Sequence, residues 1–383
     1  MRDSPRRLRS FVLLLLVLGA LLVVAAACGG DEEAAEPAPP AETAAAEPAP
    51  PPAPEPTPPE PAEPPPAEPP PAEPPALEPA TINVALDWFP NPDHVSLYYA
   101  LENGLFDEQA LTVKFKTPSD PSAGLKLVAT NKFGLAIFYQ GDMFFAAEEG
   151  LPVIAVGSLI PTPLNSMIAL SDSKVQGPDT IKGATIGVAG LPFDDAILQA
   201  MRQQQGLAED DVKKVNVGFD LVPALLTKKA DAVIGAYWNI EGNVLKLETG
   251  VDPVIIRLED IGVPHYDELI IVANKERLAS DPGYADAVKR FLAAVVKGAE
   301  AAAGDPAGAV EVIKSNTEYK AEEIELMVPT TVGLLSPPSG QPIGCFDIDG
   351  WQAFGQWMSD NKLLKGTVDA TTIVTNDYLP NPC

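Results

Sequence analysis

Histidine and cysteine are the scarcest chemistry-bearing residues in this chain: 383 residues hold two histidines and three cysteines. No CxxC pair occurs, so a zinc site has little to stand on. Basic residues are also few, 26 Lys and Arg against 53 Asp and Glu, for a formal charge of −27. A polyanion would be repelled, which makes nucleic acid a poor partner. The acidic surface reads as plain solubility rather than as substrate steering. There is no P-loop, no GxGxxG and no Ser-His-Asp order, so no cofactor is expected and no catalytic residues stand out. The one long apolar run, "FVLLLLVLGALLVVAAA" from Phe11 to Ala27, has 17 residues, short of the roughly 20 that a spanning helix needs.

What is present begins with that run. Arg2, Arg6, Arg7 and Arg9 precede it and Cys28 follows it, a basic region, a short greasy core and small residues that make a secretory signal over 1–27. "AAAC" resembles the bacterial lipobox, with Ala25 where leucine is commonest, and the resemblance implies cleavage before Cys28 and lipid on its sulfur. The alternative is an uncleaved anchor helix. Of residues 28–80, the lipidated Cys28 and its tether, Asp31 to Ala80 is built almost wholly of Pro, Ala and Glu, a composition that cannot bury a core and favours extended polyproline II. It reads as a tether with a reach of roughly 150 Å at about 3.1 Å per residue; a PxxP docking segment is the rival reading. With Cys28 assigned, Cys345 and Cys383 remain as a candidate disulfide in an exported compartment, unless Cys383, the last residue, frays and stays unpaired.

The 300 or so residues that follow are enough for two lobes with proper cores. From Thr81 the chain alternates β-type runs with helical ones: "TINVAL", a helix near Asp93, "LTVKFK", "LAIFY" and "PVIAVGSL". The rhythm restarts with "GATIGVAG", then "VKKVNVG", "DAVIGAY" and "DPVIIRLED", and "ELIIVANKE" reads as a returning strand before a helical tail. This order predicts an α/β fold of two mostly parallel sheets, the second unit inserted in the first. The expected lobes are 81–170 with 268–383, and 171–267, joined by strands near 165–170 and 268–273. Ligands of open α/β sheets sit beyond the carboxyl ends of the strands, so the loops should face each other across a cleft that closes by hinge motion.

Strand ends then nominate residues. Trp88, Asn91 and His94 follow the first strand, Tyr139 and Asp142 the third, and Tyr237, Trp238 and Glu241 the strand "DAVIGA". Flat rings suit a flat heterocycle, with Glu241 and Asn91 as hydrogen-bonding partners. The bland account is that these aromatics seal a core and that Glu241 is a first-turn acid favoured by the helix dipole. "GLPFDDAIL" offers Phe193 as a further ring, and Asp194 as an N-cap that argues against an anionic ligand there.

"LDWFPNPDHVSLYYALENGLFDEQALTV", "PSDP", "GLPFDDAIL" and "GAYWNIEG" resemble the thiamine-pyrimidine-precursor binding proteins of bacterial ABC importers, within the type II periplasmic-binding superfamily. The likeness runs from about Thr81 to Glu276. It implies a monomer lipid-anchored on the outer face of the membrane, binding a formylamino- or hydroxymethyl-type aminopyrimidine and delivering it to ABC permease subunits for thiamine salvage. The same superfamily includes eukaryotic enzymes that build the pyrimidine. They carry a lysine and a histidine after the third strand and a cysteine-rich run before the returning strand. Here Phe138 and Asp142 occupy the first pair by rough alignment and "VPHYDE" replaces the cysteines, which argues for a carrier. Sulfonate, nitrate and riboflavin-like heterocycles are the rival solutes.

Overall fold

The computed structural model describes residues 77–383, which lie within one compact unit running from Glu73 to Cys383. The expected signal over 1–27, the lipidated Cys28 and nearly all of the tether lie outside the described residues. The strands are β1 (Ala80–Ala85), β2 (Leu111–Lys116), β3 (Leu135–Phe138), β4 (Val153–Ile160), β5 (Asn165–Ala169), β6 (Thr185–Val188), β7 (Lys213–Asn216), β8 (Ala232–Tyr237), β9 (Val254–Arg257) and β10 (Leu269–Asn274). They form two five-stranded sheets, ordered β2-β1-β3-β10-β4 and β7-β6-β8-β5-β9. This is the two-lobed type II periplasmic-binding-protein architecture.

Each sheet is parallel except for one strand. In the first, β2, β1 and β3 pair in parallel while β10 runs antiparallel to both β3 and β4. In the second, β7, β6 and β8 pair in parallel while β5 runs antiparallel to β8 and β9. The exceptions share a cause. β5 and β10 are the strands the chain enters straight after crossing from one lobe to the other. A chain arriving from the cleft enters the new sheet at the carboxyl ends of its parallel strands, so it must run against them.

The expected lobe boundary at 170 differs from this topology. β5 hydrogen-bonds only within the second sheet, and β10 only within the first. Neither strand bridges the lobes. The crossings are the short segments on either side, 161–164 and 258–268.

β3, β4, β5 and β10 are buried along their whole length, as strands covered on both faces must be. The outer edge of β4 is closed by the C-terminal tail: Ala155 N–H donates to Ile373 O at 2.8 Å and Thr375 N–H to Ala155 O at 3.0 Å. Covering an edge in this way removes a template for unwanted pairing. The tail is also cross-linked, with Cys345 and Cys383 joined at a Cα separation of 5.8 Å.

Candidate functional site

The turn after β1 is built by its own sequence. Asn91 caps a short 3₁₀ helix, Pro92–His94, its side-chain oxygen accepting Asp93 N–H at 2.8 Å, and Pro92 takes the first helical position, where no N–H is needed. His94 Nδ1 accepts Asn91 N–H at 3.3 Å, so Nε2 carries the proton and donates to Asp87 Oδ1 at 2.8 Å. The other Asp87 oxygen accepts the Tyr139 hydroxyl at 3.1 Å, tying the end of β1 to the end of β3.

Strand ends from both lobes meet in one narrow cleft. From the first lobe come Asp87, Trp88, Asn91, Tyr139, Asp142 and, at the end of the returning crossing, Glu268. Across from them stand Asn165, Leu191, Phe193, Asp194, Gly235, Tyr237, Ile240 and Glu241. At the mouth, Trp88 and Phe89 pack on Phe219 of the facing lobe, with ring centroids 4.6 and 4.9 Å apart.

Two glycines make room for these approaches. A Cβ on Gly141 would sit 2.5 Å from the Phe193 ring, so the first lobe's backbone is the surface on which Phe193 lies. Gly235 has φ +96°, a conformation costly for any other residue, and a Cβ there would sit 2.9 Å from Asp194 Oδ2. Its N–H donates to Asn165 Oδ1 at 3.1 Å.

Most of the residues nominated from the sequence line this cleft, but His94 and Trp238 do not. His94 is fully buried behind Asp87 and orients that carboxylate. Trp238 turns away to pin the first crossing, its indole N–H donating to Pro163 O at 3.2 Å while Arg257 lies over the ring at 4.1 Å. Asp194 is not an N-cap: Leu191 holds that position, and the Asp194 carboxylate accepts Ala189 N–H at 3.2 Å. Glu241 is the first residue of helix Glu241–Thr249 and accepts Tyr237 N–H at 2.7 Å, so the dipole account and the cleft account both apply.

The reading from sequence missed Asp87, Asn165, Gly235 and Glu268. Glu268 Oε2 accepts Leu164 N–H at 2.7 Å, Asn165 N–H at 2.8 Å and the Tyr266 hydroxyl at 2.9 Å, so one carboxylate fastens both crossings at the cleft floor. The segment "VPHYDE" is therefore built as an inter-lobe connection.

The electrostatics are one-sided. Five carboxyl groups, Asp87, Asp142, Asp194, Glu241 and Glu268, line the cleft and no Lys, Arg or His does. Burial raises Asp142, Glu241 and Glu268 each to about 7, offset in part by the backbone N–H groups they accept. Asp194 is raised well above the usual carboxylate range, chiefly by burial and then by the charge of Asp142. Among the described residues no group of three or more His, Cys, Asp or Glu is arranged to hold a metal ion.

Two polar atoms of the cleft have no partner in the protein. Asp142 Oδ1 accepts Phe193 N–H at 3.2 Å, but its Oδ2 accepts nothing. The Tyr237 hydroxyl lies near the Glu268 carboxylate yet makes no hydrogen bond of good geometry. Leaving such groups buried and unpaired costs about 1–3 kcal/mol each.

Behind the cleft the lobes are joined by a buried polar clasp. Asn239 Nδ2, from the second lobe, donates to Asp93 Oδ1 at 2.7 Å and to Thr331 Oγ1 at 3.2 Å, and the Thr331 hydroxyl donates to the same Asp93 oxygen at 2.9 Å. All three residues are fully buried, and burial raises Asp93 to about 6.

Comparison with known proteins places this architecture. Residues 91–309 match the family described as NMT1/THI5 like. A formylaminopyrimidine-binding protein of Halalkalibacterium halodurans is 33% identical over 306 residues, 77% of this chain and 91% of that protein. A 4-amino-5-hydroxymethyl-2-methylpyrimidine phosphate synthase of Aspergillus parasiticus is 26% identical over 243 residues, 60% of this chain and 69% of the enzyme. Among solved structures, the alkanesulfonate-binding protein SsuA of Xanthomonas axonopodis pv. citri superposes with a TM-score of 0.61 at 16% identity, covering 78% of this chain and 99% of that one, which is a likeness of fold.

Proposed function

The chain belongs to the NMT1/THI5-like family, and from that premise we propose that it is the extracytoplasmic binding protein of an ABC importer, capturing an aminopyrimidine thiamine precursor without chemistry of its own. The observation that carries this reading is that Asp142, with an unpartnered buried Oδ2, and Tyr237 line one aromatic cleft from opposite lobes. A carboxylate oxygen wants a donor and a phenol wants an acceptor. A flat ring with an exocyclic amino group beside a ring nitrogen supplies both, and Trp88, Tyr139 and Phe193 supply the faces.

The rival solutes fit less well. Sulfonate and nitrate are anions, and a cleft with five carboxyl groups and no cation opposes them. For an enzyme of the pyrimidine-forming kind, the lysine and histidine are wanting at the third strand's end, where Phe138 packs in the core and Asp142 lines the cleft. Closure rotates the lobes about 161–164 and 258–268, and a lipid on Cys28 holds the protein near its permease.

The test is direct. Small molecules released on denaturing the purified protein are identified by mass spectrometry, and formylaminopyrimidine, hydroxymethylpyrimidine, methanesulfonate and nitrate are titrated into the emptied protein. Saturable binding of either pyrimidine without turnover is expected. Tight binding of an anion with no pyrimidine affinity refutes the reading.

A further inference from the structure

Asp142 stands in the first turn of helix Gln140–Glu148 with one oxygen on Phe193 N–H and the other free. The groups that face it are Glu268 at the start of β10, Asp194 and Asp195 of helix Pro192–Gln204, and Tyr139 at the end of β3. All are acids or neutral phenols. On its other side Asp142 shares a second pocket with Lys126 and Glu149, both exposed; the cleft itself holds no Lys, Arg or His, so a negative charge on Asp142 has no buried counter-charge there.

We propose that the cleft binds its heterocycle together with one additional proton, held between the Asp142 carboxyl and a ring nitrogen, so that capture of the ligand is coupled to proton uptake. This rests on the reading that the ligand is an aminopyrimidine. Two arrangements satisfy it, a carboxylate against a pyrimidinium or a carboxylic acid against a neutral ring, and both hold the same proton count. In either, Asp142 Oδ2 is the free oxygen that meets the ring nitrogen, while Oδ1 stays on Phe193 N–H. The field of neighbouring carboxylates that opposes ionisation of Asp142 also raises the basicity of any nitrogen placed beside it. The proton comes from solvent.

The pH dependence follows from the empty protein. Asp142 there is raised to about 7. Below about pH 6 it already carries the proton, and binding takes up almost none. At pH 8 it is largely ionised, and binding draws in close to one. Affinity should therefore fall as pH rises above about 7, by up to about tenfold per pH unit.

The experiment is calorimetric titration of hydroxymethylpyrimidine into the whole protein at pH 6 and pH 8, in phosphate and in Tris, whose ionisation enthalpies differ. The buffer dependence of the heat gives the protons taken up. The expected result is near zero at pH 6 and near one at pH 8. Asp142→Asn should abolish the uptake and flatten the affinity between these pH values. The aniline isostere, with ring nitrogens replaced by C–H, should bind at least tenfold more weakly and without uptake. Tight pyrimidine binding with no uptake at pH 8, or uptake that persists in Asp142→Asn, overturns the proposal while leaving the pyrimidine reading intact. Absence of pyrimidine binding at both pH values, with another solute bound instead, removes that reading and the proposal with it.

Discussion

Removing the Asn239 amide should loosen the closed form and leave the open form untouched. In Asn239→Ala the carboxylate of Asp93 loses a donor at 2.7 Å and keeps only Thr331 at 2.9 Å, while a site that was fully buried gains a small void. A hydrogen bond to a charged group is worth about 1.5–3 kcal/mol. When the lobes part, water replaces the amide on Asp93, so the loss falls on closure alone. Affinity for the ligand should then drop about ten- to a hundredfold, mainly through faster dissociation, even though Asn239 does not line the cleft. The effect should shrink at pH 5, because Asp93, raised to about 6, is then protonated and the bond is one between neutral groups. Stopped-flow dissociation with an intrinsic tryptophan signal reads the rate, and X-ray scattering with and without ligand reads the closure. An unchanged dissociation rate at pH 8 would refute the reasoning. So would an apo melting temperature that falls as much as that of the complex, since the clasp would then be holding the open form as well.

Three further outcomes follow from the same geometry. Trp88→Ala removes a cleft face and its edge contact with Phe219, so ligand affinity should fall about tenfold or more with little change in apo stability; Trp238→Ala should chiefly lower stability, because its indole pins the crossing at Pro163, and the opposite ranking by titration and melting would misplace the cleft. The unliganded protein should be more stable at pH 5 than at pH 8: folded Asp142, Glu241 and Glu268 titrate at about 7 and unfolded carboxyls at about 4, so the folded chain holds extra protons between those values and loses that advantage as pH rises through 7. A thermal melt that rises across this interval would contradict the burial of these acids. Reducing the Cys345–Cys383 link should destabilise the tail by up to roughly 4 kcal/mol for a separation of 38 residues, read as a lower melting temperature under reductant, and two free thiols in the native oxidised protein would refute the pairing.

How much of this was legible beforehand depends on how local the signal is. Most strands were readable as short runs of apolar and β-branched residues, "LAIF" and "LIIVAN" among them. The partner of a strand is not written in the strand. "NSMIA" reads as β-type wherever it pairs, and only the crossing at 161–164 reveals that it serves the second sheet. Trp88, Asn91, Tyr139, Asp142, Phe193, Tyr237 and Glu241 follow strand ends and line the cleft. His94 and Trp238 also follow strand ends and still point elsewhere, since a turn's rotation decides which side chain faces the cleft. Asp87, Gly235 and Glu268 had a fainter signal: an acid closing the run "NVAL", a glycine inside "AVIGAY", an acid directly before "LIIVAN". Each is a polar or small residue where strand packing alone would ask for a large apolar one.

The strand order also constrains time. β3 and β4 are not neighbours; β10 lies between them, and β10 is the last strand of the chain. A polypeptide that emerges amino-terminus first therefore holds β1 to β4 in hand with a gap at the middle of their sheet. Residues 165–257, by contrast, contain every strand of the second sheet, with β5 and β9 already adjacent. The inserted lobe can complete its hydrogen bonding while its host still waits for Leu269–Asn274 to arrive and fill the slot. The first sheet's two inner edges stay unpaired until nearly three quarters of the 383 residues have appeared, and any factor that attends the nascent chain would have those edges as its most exposed target.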